Sequence, residues 1–144
     1  MKILTNTLDP KSQKHFSLFR EWCIEEWGDI DPFDLVQDGK SLPEPILAIK
    51  NNSLAGGLAF GWSEIVGKAG FKLWVNAIVV SPDHRFQGVA SRLIDVAVKK
   101  AAEAGEKELF ALTHITRLYE KRGWCITGTF PDGTVVNKSL VIQS

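Results

Sequence analysis

Neither sign of charge is in surplus: seventeen basic residues meet seventeen acidic ones. A duplex nucleic-acid binder normally carries a basic excess, so no nucleic-acid partner is expected. Cysteine is scarce. Cys23 and Cys125 stand far apart and belong to no CxxC or Cys/His grouping, which points to reduced thiols and to no metal site. No apolar run approaches the about 20 residues of a membrane span, so no membrane partner is expected. The first ten residues hold no apolar core of a secretory signal, and a cytoplasmic location is the expectation.

What is present fits one domain over residues 1–144, since 44% hydrophobic content is enough for a sizeable core. Ile3–Asn6 reads as a short first strand. Asp9-Pro10 is a helix start, and Phe16, Phe19, Trp22, Cys23 and Trp27 recur at three and four until Gly28. Asp31-Pro32 predicts a second short helix through Val36, and Lys40 to Pro45 a connector. Ile46–Lys50 and Leu54–Trp62 form a hairpin around Asn51-Asn52-Ser53, with Gly56-Gly57 marking a bulge or a close backbone approach. Ser63 to Gly70 is a loop. Phe71–Val80 is the longest strand-like run, predicted to be central. A helix over Gln87–Ala104, a buried strand over Leu109–Thr113 and a short helix over Thr116–Arg122 follow. A hairpin of Trp124–Phe130 and Val135–Ile142 ends the chain. The order β-α-α-β-β-β-α-β-α-β-β predicts an α/β fold with a mixed sheet and a crossover helix after its central strand.

The most informative stretch is Val79 to Leu93. A strand runs into Ser81-Pro82, a polar turn, and then a helix whose start is stripped of bulk at Gly88 and Ala90. The first N–H groups of a helix lack intrahelical partners and sit at the positive end of its dipole. With Arg85 at the rim, this turn is shaped to hold a phosphate.

Arg85-Phe86-Gln87-Gly88-Val89-Ala90 resembles the Q/R-x-x-G-x-G/A signature of the GCN5-related N-acetyltransferases (GNAT), in the strand–turn–helix context that signature requires. Thirty-four residues after Arg85, Tyr119-Glu120-Lys121-Arg122-Gly123-Trp124 is similar to the family's Y-E-K-x-G-F segment. The resemblance covers nearly the whole chain and implies a sheet splayed at its centre, with acetyl-CoA as cofactor. It implies that backbone amides of Phe86, Gln87, Gly88, Val89, Ala90 and Ser91 cradle the pyrophosphate and that Arg85 closes one side. The pantetheine arm would follow the edge of Phe71–Val80 near Val80, and an N–H around Ile78 or Val79 would hold the thioester oxygen. Tyr119, the single tyrosine, falls where the family keeps its general acid.

Two departures accompany the match. Where many members place Glu or His on the central strand, this chain has Asn76 and Trp74. Asn76 can orient an amine or a water but accepts no proton, so a base must come from elsewhere, with Glu25, Glu26, Glu64 and His114 as candidates by location. The connection Thr113-His114-Ile115-Thr116 lacks the Asn that often bonds pantetheine, and Thr113 is its expected substitute.

The implied activity is acetyl transfer to an amine of a small molecule, peptide or protein by direct attack, since neither cysteine has a nucleophile's surroundings. The alternative is a non-catalytic acyl-CoA-binding module of the same fold. An acetylating toxin directed at charged transfer RNA would need a basic surface that the chain lacks. Four tryptophans, Trp22, Trp27, Trp62 and Trp74, lie in elements on the acceptor side, as core filling or as an aromatic pocket for an amine. The late hairpin offers a surface on which a second copy could pair into a homodimer.

Overall fold

The computed structural model describes residues 1–28, 31–32, 34–37, 39–65 and 69–140. Its main sheet has seven strands in the order β1-β4-β5-β6-β7-β9-β8, where β1 is Lys2–Leu4, β4 Ile46–Lys50, β5 Ser53–Glu64, β6 Phe71–Val80, β7 Glu108–Thr113, β8 Cys125–Phe130 and β9 Gly133–Ser139. A separate small hairpin pairs β2 (Val36–Gln37) with β3 (Lys40–Ser41). The α-helices among the described residues are α1 (Gln13–Trp27), α2 (Val89–Glu103) and α3 (Thr116–Glu120). The expected α/β class with a mixed sheet is what forms.

Local chemistry accounts for the boundaries. Asp9 accepts from the Lys11 N–H at 3.1 Å and from the Ser12 hydroxyl at 3.0 Å, opening the turn that leads into α1. Gly28 ends α1 in a left-handed conformation, its N–H donating to the Ile24 carbonyl at 2.8 Å. Asn51 and Asn52 both take positive φ, as a two-residue hairpin turn between β4 and β5 requires.

The glycine pair marks a close approach of other groups, and the bulge lies beside it at Ala55. The β4–β5 register shifts between Ala48 and Ile49, and a Cβ on Gly57 would lie 2.5 Å from the Phe19 ring. One on Gly56 would lie 2.8 Å from the Val79 carbonyl oxygen.

The predicted second helix does not form. Among the described residues of 31–41, Asp34 N–H bonds the Asp31 carbonyl in a turn, and Val36–Gln37 then pairs back on Lys40–Ser41. The six residues between Asp31-Pro32 and Gly39 give too few turns to overcome helix nucleation, and the hairpin satisfies the backbone instead. The connector expected from Lys40 thus begins as a strand. The ends of two expected segments, residues 66–68 of the loop and 141–142 of the last strand, lie outside the described residues.

Helix α2 makes the parallel crossover from β6 to β7. It packs Leu93, Ile94, Ala97 and Ala101 against Ile46, Leu58, Leu73, Leu109 and Val136 on one face of the sheet. Burying each such Leu or Ile contributes roughly 1.5–3 kcal/mol. Helix α1 covers the other face over β4, β5 and the end of β6, through Phe16, Phe19 and Cys23 on Leu47, Leu54, Ala59 and Ala77. Beyond α1, that same face carries Phe110 and Val135 under Ile65, Trp74 and Phe130, with no helix over them.

Candidate active site: a splayed strand pair beside a bare helix start

Strand β6 changes phase in its middle. Before Asn76, Leu73 and Val75 pack in the α2-side core; after it, Ala77 belongs to the α1-side core. The cause is a bulge: Ala59 pairs with Ala77 and Phe60 with Val75, which leaves Asn76 without a partner on β5. Gly61 makes room for it. A Cβ there would lie 2.9 Å from the Asn76 Cγ, so the Asn76 side chain lies directly over the β5 backbone.

The bulge coincides with the opening of the sheet. β6 and β7 pair only at Trp74↔Phe110 and Val75↔Ala111. Among the described residues, Asn76, Ala77, Ile78, Val79 and Val80 have no partner on the β7 side. Leu112, expected to be buried in its strand, is 49% exposed because the neighbouring strand has veered away.

A cleft of about 650 Å³ occupies the gap. Asn76, Ala77, Ile78 and Leu112 line its middle, and Tyr119 lines it from the α2 side. Trp27, Trp74, Phe130, Glu64 and Asp132 line it from the other. Tyr119 is 3% exposed and meets Trp124 edge-on, with ring centroids 4.9 Å apart. Burial pushes its phenol up to about 12, so it stays protonated across the neutral range. Arg122, three residues on, makes a two-pronged pair with Asp95 of α2 at 2.8 and 2.9 Å, tying α3 to α2.

The turn before α2 has the form that the sequence predicted. Phe86 (φ 63) and Gly88 (φ 80) are both left-handed, which coils the backbone tightly ahead of the helix. The Arg92 N–H donates to the Gly88 carbonyl at 3.1 Å, so the N–H groups of Val89, Ala90 and Ser91 precede the first helical bond. Gly88 has no side chain to cap them, and open space surrounds its α-carbon. Arg85, Phe86, Gln87 and Gly88 are exposed, whereas the Val89 side chain points into the core and leaves only its backbone at the turn. This end of α2 is a ready anion seat.

Other candidates sort themselves by position. Val79 and Val80 are half-buried at the open end of β6, paired with Gly57 and Gly56. Thr113 is half-buried at the end of β7, its hydroxyl accepting from the Ile115 N–H at 2.9 Å. Of the four acid/base candidates only Glu64 lines the cleft. Glu25 and Glu26 are exposed on α1, and His114 lies against Gly133. Of the four tryptophans, Trp27 and Trp74 line the cleft. Trp22 packs on the α1 core, and Trp62 donates to the Ser41 carbonyl at 3.0 Å. Neither cysteine lines the cleft; burial, with Asp31 second, pushes the Cys23 thiol up to about 11.

Sequence reasoning missed three contributors. Asp132 and Phe130 reach the cleft because β9 inserts between β7 and β8, with Thr113 opposite Thr134. That brings the β8–β9 turn to the open end of β7, a pairing that no local pattern encodes. Lys50 was also overlooked. Its ammonium donates to the Gln87 side chain at 2.6 Å, which sets a cation beside the anion seat. A lysine at the end of a strand gives no signal of that kind.

A mixed sheet parted between two parallel strands, with a bare helix start at the head of the gap, is the architecture of an acyl-CoA-dependent acyltransferase. The chain belongs to the acetyltransferase (GNAT) family, whose model matches residues 12–124. Solved structures resemble it over essentially all of its length. One is an aminoglycoside 6'-N-acetyltransferase complexed with coenzyme A, with TM-score 0.67, 19% identity, and 100% of this chain and 99% of that one covered. The aminoglycoside 6'-N-acetyltransferase from Enterococcus faecium gives 0.68 at 15% identity, covering 100% and 99%. The NatC complex bound to Gag peptide and CoA gives 0.64 at 15% identity, covering 98% and 100%. At these identities the likeness is one of fold. No curated protein sequence matches the chain significantly.

Proposed function

We propose that this protein transfers the acetyl group of acetyl-CoA to the amine of a small-molecule or peptide acceptor by direct attack in the cleft between β6 and β7. The observation that supports this reading is the parting of β6 from β7 beyond Val75, which opens a cleft lined by Ile78 and the buried phenol of Tyr119 in a chain whose α2 starts on an uncapped Gly88. In it, the amides at 86–91 hold the pyrophosphate, with Arg85 closing one side and Lys50 adding charge. Pantetheine lies along Ile78–Val80, with Thr113 across the gap. An N–H near Ile78 receives the thioester oxygen as negative charge develops on it.

The acceptor ammonium must first lose a proton, since an amine with pKa near 10.4 is almost fully charged at neutral pH. In this reading Glu64, one of the two carboxylates lining the cleft, takes it through water, and Asn76 orients the amine. The amine nitrogen then bonds to the carbonyl carbon and the carbon–sulfur bond breaks. Tyr119 donates a hydrogen bond that stabilises the departing thiolate, and the proton released by the attacking nitrogen reaches the thiolate through solvent to give the free thiol. Products are the N-acetylated amine and coenzyme A.

Relatives of this fold include enzymes named for aminoglycosides and a complex bound to a peptide, which supports an amine acceptor of either kind. The test is thiol release from acetyl-CoA across polyamines, amino acids, arylalkylamines, aminoglycosides and peptides. Tight acetyl-CoA binding with no thiol release on any of them would instead mark a non-catalytic binding module.

A further inference from the structure

Building on the acetyl-transfer reading, we infer that the acceptor is a primary amine on an apolar, aromatic body that carries no acidic group. The charge on the cleft wall is one-sided. Among the described residues, its lining contains the carboxylates of Glu64 and Asp132 and no lysine, arginine or histidine. A carboxylate or phosphate on the acceptor would face two like charges, with no cation among the described lining residues to meet it, which disfavours such molecules. An ammonium group gains from the same two charges.

The rest of the acceptor side is apolar. Trp27, Trp74 and Phe130 present rings, and Ile65, Leu112 and Val135 fill between them. Trp74 is fixed in place. Its indole N–H donates to the Ser63 carbonyl at 3.2 Å, and its ring is tilted 34° against Phe110 at 5.4 Å. With its one donor satisfied at the edge, the ring serves as a flat apolar wall that also attracts a cation. Trp27 stays 38% exposed at the end of α1, and it is the kind of ring a flat ligand would cover. The carboxylates come from separate elements, Glu64 at the end of β5 and Asp132 in the β8–β9 turn, and both line the cleft that a cationic head would enter. The cleft's 650 Å³ is in the range of small-molecule sites.

Matched pairs test the idea, with each amine set against its parent amino acid: phenethylamine with phenylalanine, tyramine with tyrosine, cadaverine with lysine. Binding to the CoA-loaded protein is followed by tryptophan fluorescence, with Trp27→Phe and Trp74→Phe, singly and together, as the controls that remove the reporting rings. Phenethylamine and tyramine are expected to bind at least tenfold more tightly than their amino acids and several-fold more tightly than cadaverine. Asp132→Asn should weaken phenethylamine severalfold and narrow its gap from phenylalanine. Phenylalanine binding as well as phenethylamine, cadaverine outdoing both arylalkylamines, or no binding by any probe would overturn the assignment. The two readings fail separately. Acetylation of phenylalanine at the rate of phenethylamine sinks this inference and leaves acetyl transfer standing. Binding of phenethylamine without thiol release keeps the ligand class and sinks the transfer.

Discussion

The two faces of the sheet are built to different ends. On one, α2 and α3 close a continuous core in which Leu93, Ile94 and Ala97 have no exposed surface. On the other, α1 covers only β4, β5 and the tip of β6, and Trp74 and Phe130 beyond it remain partly open. The closed face carries the anion seat and Tyr119. The open face carries the aromatic rings and carboxylates. Stability is concentrated where the donor would be held, and solvent access where the acceptor would enter.

The sharpest way to break this contrast is a pair of truncations. Leu93→Ala removes a fully buried side chain from the closed face and should cost about 2–5 kcal/mol in urea unfolding. Trp74→Ala, although larger, faces the cleft and should cost clearly less. Equal losses would mean that both faces are structural.

Next in size is Tyr119→Phe, expected to lower turnover at least tenfold, about 1.4 kcal/mol of barrier, with acetyl-CoA affinity nearly unchanged. Near-wild-type turnover removes Tyr119 from the mechanism. Its pH signature has a defined direction. The phenol is raised from 10.0 to about 12, so the folded state holds its proton more tightly than the unfolded one. The resulting stability is complete below pH 10 and is lost as pH rises from 10 to 12. Wild type should therefore lose more stability than Tyr119→Phe across that window, which alkaline denaturation curves measure. Loss of activity well below pH 10 would belong to another group.

Gly61→Ala is a gentler probe of the bulge. The added methyl falls 2.9–3.1 Å from the Asn76 side chain, whose exposed amide can turn aside. Turnover should drop a few-fold with a stability change of about 1 kcal/mol or less. An unchanged KM and kcat would show that Asn76 does not position the acceptor. The smallest effect is expected from Cys125→Ser on the exposed edge strand, where activity should stay at wild-type level if attack is direct. A burst of coenzyme A release preceding acetylated product, in either form, would contradict direct attack.

What was legible in the sequence follows the range of the physics involved. The turn at 85–91 and the start of α2 are local: Gly88, Ala90 and the preceding Ser81-Pro82 announce themselves within a few residues. The hairpin at Asn51-Asn52 and the amphipathic faces of α1 and α2 are local too. The Asn76 bulge was hidden because a phase change within one strand shows only when its partner is known. Asp132 and Lys50 were hidden for the same reason, since strand order and not sequence spacing brings Asp132 to the cleft and Lys50 to Gln87 in the turn before α2. The segment from Asp31 failed differently. Its Asp-Pro start signal was genuine, but the stretch is too short to sustain a helix, and the hairpin of Val36–Gln37 with Lys40–Ser41 formed in its stead.

The Arg122–Asp95 pair has one more consequence. It fastens the short helix that bears Tyr119 to the long helix whose tip would receive the pyrophosphate, so one two-pronged ion pair links the two parts of the proposed donor site. The two carboxylates of the proposed acceptor side, Glu64 and Asp132, sit instead at the end of β5 and in the β8–β9 turn, outside those helices. A lineage of such proteins could exchange one amine for another by rewriting a handful of positions there, inheriting the means of handling the thioester unaltered.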